Sequence, residues 1–238
     1  MTDREELWPG GPFLRQAAHF RLGTDCVLLA DFARADSARR GIDLGCASGA
    51  AMLLLLARTE KLHMTGIEIV PEAAELARQN MAENGFAARS AVVTGDLRRF
   101  REDFPAGTFD LVVANPPYYP VGSGALPTDA ARAAARGETS CGLEDLCAAA
   151  EWLLHTGGAA CLVHKPERLS ELLVSLTAHG LEPKRLRLVC RQAASAPSLV
   201  LVEARRGGRP GLRIEPPLLL QNERGEESEE LRRITRRE

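Results

Sequence analysis

The sequence predicts an open α/β fold in which a seven-stranded, mostly parallel sheet carries helices on both faces. Short apolar runs alternate with helical segments along the chain, which is the pattern of repeated strand–helix–strand units. Four successive runs end in an acid or an amide. The 238 residues are 45% apolar, enough for one well-buried domain, and no internal repeat is visible.

The first half of the chain contributes four strands and the helix between the first two of them. A strand over 41–44 precedes a turn of small residues and the helical run 50–58. Further strands are predicted over 63–69, 90–95 and 109–114, each bounded by glycine or a polar residue. Because 109–114 is almost continuously apolar, it indicates a strand buried on both faces.

The second half completes the sheet with three strands and two helices. The predicted elements are a helix over 143–155, a strand over 159–164, a helix from Pro166 to near His179, and strands over 184–190 and 199–204. The first of these helices should end at Gly157-Gly158. Arg185, Arg187 and Arg191 alternate along the sixth strand, so at least the first two should share an exposed face.

The ends of the first three strands carry residues suited to a nucleotide-containing cofactor. Asp43 ends the first strand, and the small-residue turn after it lets backbone approach a ligand closely. This turn is not G-x-G-x-x-G, because Ala47 occupies the middle glycine position. Glu68 could hold a ribose diol in either a dinucleotide or another nucleoside cofactor. Asp96, after the third strand, could accept a hydrogen bond from an adenine amine.

The tetrapeptide Asn115-Pro116-Pro117-Tyr118 follows the fourth strand, where open α/β sheets bind ligands. The Asn115 side-chain oxygen and the Pro116 carbonyl are two acceptors that together suit one planar NH2 group. The two prolines fix φ and stiffen the turn. Tyr118 offers a flat ring as a platform for a base or an amide plane. We therefore predict these four residues as the catalytic motif.

With these motifs the chain resembles the class I S-adenosylmethionine-dependent methyltransferases, and among them the Asn-Pro-Pro-Tyr enzymes that act on planar nitrogen. Segments 20–33, 135–140, 165–169 and 211–218 are similar to bacterial tRNA adenine-N6 methyltransferases that modify an anticodon-loop adenine of valine tRNA. The resemblance covers roughly residues 13–222. It implies a Rossmann-like core whose final strand is antiparallel.

The resemblance also implies S-adenosylmethionine as the cofactor and a tRNA as the substrate. The residues that it assigns to cofactor binding are Thr24, Asp25, Asp43, Gly45, Cys46, Ala47, Gly49, Glu68, Ile69, Asp96, Leu97 and Asn115. Such families usually carry glycine where this chain has Ala47, so we expect a modestly lower cofactor affinity. The expected reaction is a direct transfer of the sulfonium methyl group to adenine N6.

Three alternatives remain open at this point. A protein N5-glutamine methyltransferase acting on release factors could use the same tetrapeptide on a side-chain amide, but that family usually has a helical N-terminal domain. A ribosomal-RNA guanine-N2 methyltransferase usually carries a different aromatic residue after the prolines. The third alternative is a cofactor-binding module without catalysis, against which the intact catalytic motif argues.

Composition restricts the partners. Because the net charge is −2, any RNA contact must come from a local basic patch. The candidate residues for that patch are Arg21, Arg132, Arg136 and Arg168. The five histidines lack metal-ligand spacing, and no apolar stretch is long enough to span a membrane, so we expect neither a metal nor a membrane contact.

The six cysteines and the charge pattern predict location and domain limits. The cysteines form no C-x-x-C pair and suit a reducing cytosol, so a cytoplasmic protein is expected. We predict a single domain over 1–222, in which 13–40 leads into the cofactor site and 41–206 forms the core. Residues 223–238 form a charged tail, in which Glu229 and Arg233 favour a solvated helix.

Overall fold

The computed structural model describes residues 3–16, 22–116 and 141–236. Near the N-terminus, β1 (Asp3–Glu6) and β2 (Phe13–Gln16) pair as an antiparallel hairpin separate from the main sheet. The main sheet contains the seven predicted strands: β3 (Arg40–Leu44), β4 (His63–Glu68), β5 (Ser90–Thr94), β6 (Phe109–Ala114), β7 (Leu154–His164), β8 (Leu181–Cys190) and β9 (Pro197–Arg206).

The strand order of the main sheet is β8-β9-β7-β6-β3-β4-β5. The strand β9 runs antiparallel to both of its neighbours, whereas the other pairs in this order are parallel. The seven-stranded, mostly parallel sheet and its antiparallel final strand are therefore confirmed. Two short strands, β10 (Arg213–Ile214) and β11 (Leu218–Leu219), extend the sheet by pairing with β8.

Helices cover both faces of the sheet, as predicted. They are α1 (Thr24–Phe32), α2 (Ala50–Arg58), α3 (Pro71–Glu83), α4 (Phe100–Asp103), α5 (Leu143–Leu153), α6 (Leu169–Ala178) and α7 (Glu229–Thr235). Buried side chains of α1, α2, α3 and α7 belong to one apolar cluster, and those of α4, α5 and α6 belong to a second. Each cluster packs against one face, so the sheet forms the middle of three layers.

The predicted end of the helix over 143–155 is wrong. Helix α5 stops at Leu153, and β7 begins at Leu154, which places Gly157 and Gly158 inside a strand. Leu154 is fully buried and pairs with Phe109 across a register shift in β6. Gly157 has φ +87°, a conformation that glycine adopts without strain. The glycines therefore accommodate an irregularity in the strand.

The exposed face predicted for Arg185 and Arg187 is also wrong, because the C-terminal segment covers it. Arg185 donates to Glu203 and, at 3.0 Å, to Glu215, and its side chain is only 12% exposed. Arg187 pairs with Glu230 at 2.8 Å. The predicted helix in the tail exists as α7, but two of its side chains, Leu231 and Ile234, are buried against the core.

Three further features of the described residues concern membrane-spanning helices, metal-ligand clusters and disulfides. Among the three described ranges, no helix is long and apolar enough to cross a membrane. Within these ranges, no group of three or more His, Cys, Asp or Glu side chains is placed to hold a metal ion. All six cysteines are free thiols, and five of them are buried.

Candidate active site

The carboxyl ends of β3, β4, β5 and β6 bring Asp43, Glu68, Asp96 and Asn115 to one edge of the sheet. The amides of Gly45 and Cys46 both donate to the Ile67 carbonyl, at 2.9 and 3.1 Å. The amide of Gly95 donates to the Glu68 carbonyl at 2.9 Å. These bonds extend the strand pairing by one step, so the residues that leave the strands stay adjacent.

Asp43 is a buried acid beneath the turn that follows β3, with only 4% of its surface exposed. Burial, and then the charge of nearby Glu68, raises the pKa of Asp43 to about 7. Burial, and then the charges of Asp43 and Asp25, raises the pKa of the Cys26 thiol, which places the start of α1 beside the same strand end. Several carboxylates thus converge where a cationic ligand would be stabilised.

The side chain of Glu68 stabilises the turn after β3 by accepting hydrogen bonds from backbone amides. Its Oε2 accepts a hydrogen bond from the Ala47 amide at 2.9 Å, and its Oε1 accepts one from the Val70 amide at 2.9 Å. The side chain is buried, with 7% exposed. The carboxylate predicted to hold a ribose therefore also fixes the turn after β3 and the start of α3. A carboxylate has about four lone-pair sites, so two bonds leave capacity for a ligand hydroxyl.

Three residues of the turn after β3 have left-handed backbone conformations. They are Gly45 (φ +80°), Ala47 (φ +47°) and Gly49 (φ +78°). Glycine is required at position 49 for two reasons. A Cβ there would lie only 3.1 Å from Ala77 Cβ, and any residue other than glycine would be strained by the positive φ. Ala47 carries the conformational cost that glycine would avoid.

Replacing Ala47 by glycine should raise the free energy of unfolding by about 0.5–1 kcal/mol. The left-handed conformation costs an L-residue roughly 1–2 kcal/mol, and the greater freedom of glycine in the unfolded chain offsets part of that gain. Urea denaturation measures the change. Ala148→Gly within α5 is the matched control and should lose about 1 kcal/mol. Equal losses in both variants would show that Ala47 is not strained.

Asp96 lies at the end of β5, as predicted, but its carboxylate is already engaged. It caps the 3₁₀ turn Leu97–Arg99 by accepting from the Arg98 amide at 2.9 Å, and it also accepts from the Arg98 side chain. The hydrogen bond from the Arg98 side chain is the main cause of a lowered pKa of Asp96. An adenine amine at Asp96 would have to share this carboxylate with an exposed arginine.

The remaining predicted cofactor residues surround the same strand ends. Thr24 is exposed at the start of α1, and Asp25 is half-buried beside it. The side chain of Asp25 accepts from the Cys26 amide at 2.8 Å. Cys46 is buried, with its Sγ next to Gly66 of β4, where a Cβ would lie 2.6 Å away. Ile69 and Leu97 are half-buried beyond β4 and β5.

Asn115 and Pro116 directly follow β6 and are half-buried. Asp43 pairs with Val113, two residues before Asn115, so the catalytic motif begins beside the turn after β3. The predictions for Pro117, Tyr118, Arg21, Arg132 and Arg136 fall outside the described residues. The structure therefore brings the first half of the motif to the sheet edge that carries Asp43 and Glu68.

Arg168, the remaining candidate for RNA contact, follows β7 at this same edge. Its Nε donates to Glu171 at 2.8 Å, and its Nη2 forms an ion pair with the same carboxylate. A phosphate would have to compete with Glu171 for this guanidinium. Arg168 thus lies at this edge of the sheet, and Glu171 partly neutralises its charge.

Three polar side chains at the site were missed by sequence reasoning. Arg98 pairs with Asp96, Gln16 accepts from the Leu22 amide at 2.7 Å, and Asn80 donates to the Ser48 carbonyl at 2.9 Å. Only Asn80 had a usable signal, because Asn80 and Asn84 stand four residues apart within one helical run. Asparagine is unfavourable in a helix interior, so such a pair indicates side-chain bonds to something outside the helix.

Comparison with known proteins finds methyltransferases. Over 191 residues the chain is 34% identical to a tRNA1(Val) (adenine(37)-N6)-methyltransferase of Porphyromonas gingivalis (strain ATCC 33277), covering 78% of this chain and 74% of that protein. A solved structure described as a predicted O-methyltransferase from Agrobacterium tumefaciens superposes with a TM-score of 0.74 at 25% identity, over 89% of this chain and 95% of the other.

A more distant structure shows the fold alone. Geranyl diphosphate C-methyltransferase from Streptomyces coelicolor, solved with S-adenosyl-L-homocysteine, has a TM-score of 0.56 at 14% identity over 76% of each chain. The family model described as "Methyltransferase small domain" matches residues 18–176. This range includes β3 to β7 and therefore the sheet edge at which β3, β4, β5 and β6 end. This chain therefore belongs to the methyltransferase small domain family.

Proposed function

We propose that this protein transfers a methyl group from S-adenosylmethionine to N6 of an adenine in tRNA, namely the anticodon-loop adenine of valine tRNA. The observation that carries the proposal is the position of Asn115 and Pro116, directly after β6 and beside the turn that follows β3. The names of relatives such as the Porphyromonas protein support the choice of substrate. A protein amide or a guanine amine is the alternative acceptor.

The cofactor assignment is supported by the charges at the strand ends. S-adenosylmethionine carries a sulfonium and an ammonium group, and Asp43, Glu68 and Asp25 surround the turn that would receive them. The left-handed turn allows close backbone approach, and Glu68 keeps it in place. S-adenosyl-L-homocysteine in the Streptomyces neighbour is consistent with this choice.

The pKa of about 7 for Asp43 gives the cofactor site a pH dependence. A ligand that requires ionised Asp43 should bind about thirtyfold more weakly at pH 5.5 than at pH 8, because the Asp43 carboxyl is protonated in most molecules at pH 5.5. Calorimetry should also detect proton release on binding near neutral pH. Asp43→Asn should remove both effects, and a pH-independent affinity in the unchanged chain would contradict the role of Asp43.

The same shift predicts how the ligand-free protein responds to pH. The ordinary pKa of this carboxyl is 3.8, so between pH 4 and 7 the folded state holds a proton that the unfolded chain has released. The contribution of Asp43 to the free energy of unfolding should therefore be present at low pH and fall as the pH rises through this window. Asp43→Asn provides the matched baseline.

In the proposed reaction, Asn115 and Pro116 orient the attacking nitrogen. The amine of adenine is a poor nucleophile because its lone pair is delocalised into the ring. Hydrogen bonds from its two N–H groups to the Asn115 oxygen and the Pro116 carbonyl would favour a pyramidal nitrogen and fix its line of attack. The new C–N bond forms as the C–S bond breaks, sulfur keeps the electron pair as a thioether, and nitrogen then releases one proton to solvent water.

The tRNA must present an unstacked adenine and contact a local basic patch. An anticodon-loop base leaves its stack at less cost than a paired base. Arg21, Arg132, Arg136 and Arg168 remain the proposed phosphate contacts, and Arg168 would exchange Glu171 for phosphate. The six free thiols and a tRNA substrate support a cytoplasmic location.

Mass-spectrometric nucleoside analysis tests the proposal directly. Unmodified total tRNA, ribosomal RNA and a release factor are each incubated with the protein and S-adenosylmethionine. We expect N6-methyladenosine in tRNA alone, confined to the valine anticodon arm after nuclease mapping. N2-methylguanosine in ribosomal RNA, 2′-O-methylation, or methylglutamine in the release factor would each overturn the substrate assignment, and no transfer to any acceptor would overturn the catalytic one.

A further inference from the structure

Asn80 of α3 and Asn84, the residue that caps the end of α3, hold the N-terminal hairpin by hydrogen bonds to the backbone of β2. Asn84 accepts from the Phe13 amide and donates to the Phe13 carbonyl, both at 2.7 Å. Asn80 does the same with Arg15, at 2.7 and 3.1 Å. Two asparagines four residues apart on a helix lie about as far from each other as Phe13 and Arg15, which are two residues apart on β2. Their side-chain amides therefore make the hydrogen bonds to β2 that the backbone of a neighbouring strand would make.

Asn80 makes one further contact that Asn84 does not. Its Nδ2 also donates to the Ser48 carbonyl at 2.9 Å, within the turn after β3. The third hydrogen bond of Asn84 instead goes to the carbonyl of Asn80, in the last turn of α3. Asn80 is fully buried, with 0% exposed, so each of its hydrogen bonds is shielded from water.

Helix α3 reaches the turn because glycine leaves room for it. A Cβ at Gly49 would lie 3.1 Å from Ala77 Cβ and 3.3 Å from Met81 Cε. These two residues flank Asn80 on the helix surface, at spacings of three and one. The same close approach that requires glycine at position 49 therefore places the Asn80 amide against the Ser48 carbonyl.

The hairpin in turn contacts the beginning of α1. Gln16, the last residue of β2, accepts a hydrogen bond from the Leu22 amide at 2.7 Å. Leu22 stands two residues before Thr24, where α1 begins. A continuous hydrogen-bonded path thus runs from the turn after β3, through Asn80 and β2, to the segment that carries Thr24 and Asp25.

We propose that Asn80 is a positioning residue, which couples the turn after β3 to the N-terminal hairpin and through it to the start of α1. It touches neither cofactor nor substrate. Its effect is to hold the two backbone segments that would close around the cofactor in one fixed relation. The inference rests on the proposed cofactor site and adds a residue that acts on this site indirectly, through the backbone segments that it joins.

Calorimetric titration of S-adenosyl-L-homocysteine tests this with a matched pair of variants. Asn80→Ala and Asn84→Ala each lose the two bonds to β2, so both should lower the thermal midpoint, Asn80→Ala by more because Asn80 is fully buried and also loses its bond to Ser48. Only Asn80→Ala also frees the turn, and we expect it to weaken binding about tenfold or more, within the usual range for coupled sites. Asn84→Ala should keep the affinity of the unchanged chain within about twofold.

The outcomes separate the two proposals. If the unchanged chain binds the ligand but both variants lose affinity equally, or neither loses any, Asn80 has no positioning role and the cofactor assignment stands. If the unchanged chain does not bind, the cofactor assignment is wrong and this inference falls with it.

Hydrogen exchange followed by NMR provides a second measurement should Asn80→Ala fold poorly. It uses the unchanged chain, because coupling is reciprocal. Saturating S-adenosyl-L-homocysteine should slow exchange of the Arg15 amide, which is bonded to Asn80, about tenfold more than that of the Phe13 amide, which is bonded to Asn84. Equal protection of the two amides would overturn the proposal.

Discussion

Replacing Asn115 by alanine is expected to lower the methylation rate by about two orders of magnitude or more, with cofactor binding largely intact. This is the usual scale for losing one oriented partner of a transition state. The residue lies at the end of β6, where its side-chain oxygen and the Pro116 carbonyl can accept from one amine. Single-turnover transfer of a labelled methyl group to tRNA measures the chemical step separately from binding.

Asn115→Asp is the control for this prediction. It keeps one side-chain oxygen as an acceptor, so the loss should be milder than with alanine if acceptor geometry is what matters. Calorimetry with S-adenosyl-L-homocysteine confirms that each variant still binds the cofactor. Near-normal turnover in Asn115→Ala would remove this residue from the mechanism.

Replacing Arg185 by alanine should lower the free energy of unfolding by about 3–5 kcal/mol, the range for breaking one side of a buried ion pair. Arg185 is 12% exposed, and its partners Glu203 and Glu215 are 5% and 10% exposed. Its guanidinium also lies over the Phe32 ring, 4.2 Å from the centroid. Alanine would leave two nearly buried carboxylates without this cation. Denaturant unfolding measures the loss.

The chain offers a matched control at the same carboxylate. Arg205 also pairs with Glu203, at 3.0 Å, but its side chain is 45% exposed. Because water screens an exposed pair, Arg205→Ala should cost only about 0–1 kcal/mol. Replacing Arg185 by methionine together with Glu203→Gln should recover much of the loss, since the buried charge at Glu203 is then removed. Equal costs for the two alanine variants would contradict the burial argument.

Local sequence patterns were sufficient for most of the fold and for placing Asp43, Glu68 and Asn115 at one edge of the sheet. The helix over 50–58 and the strand over 109–114 were predicted to the residue, because a continuous apolar run and its bounding polar residues are local signals. The acids Asp43 and Glu68 were found because parallel strands end at a common edge. The antiparallel last strand came only from family resemblance, since pairing direction leaves no mark on a single strand.

The misjudged features depend on partners that are distant in sequence. Gly157 and Gly158 have the composition of a helix end, but the pairing of Leu154 with Phe109 makes them part of β7. Arg185 alternates like a residue of an exposed face, yet Glu215 lies thirty residues further along the chain and covers it. Neither partner can be inferred from the local pattern around the residue concerned.

The sequence by itself thus determined the order of strands and helices, the acid-lined edge and the family, and it predicts the catalytic motif. The tertiary structure decided which charges are buried. It also decided that Arg98 forms an ion pair with Asp96 and that Asn80 joins β2 to the turn at Ser48. The physical reason is range. Periodicity and turn chemistry act over a few residues, whereas burial and hydrogen-bond partners are set by segments that meet only when the chain has folded.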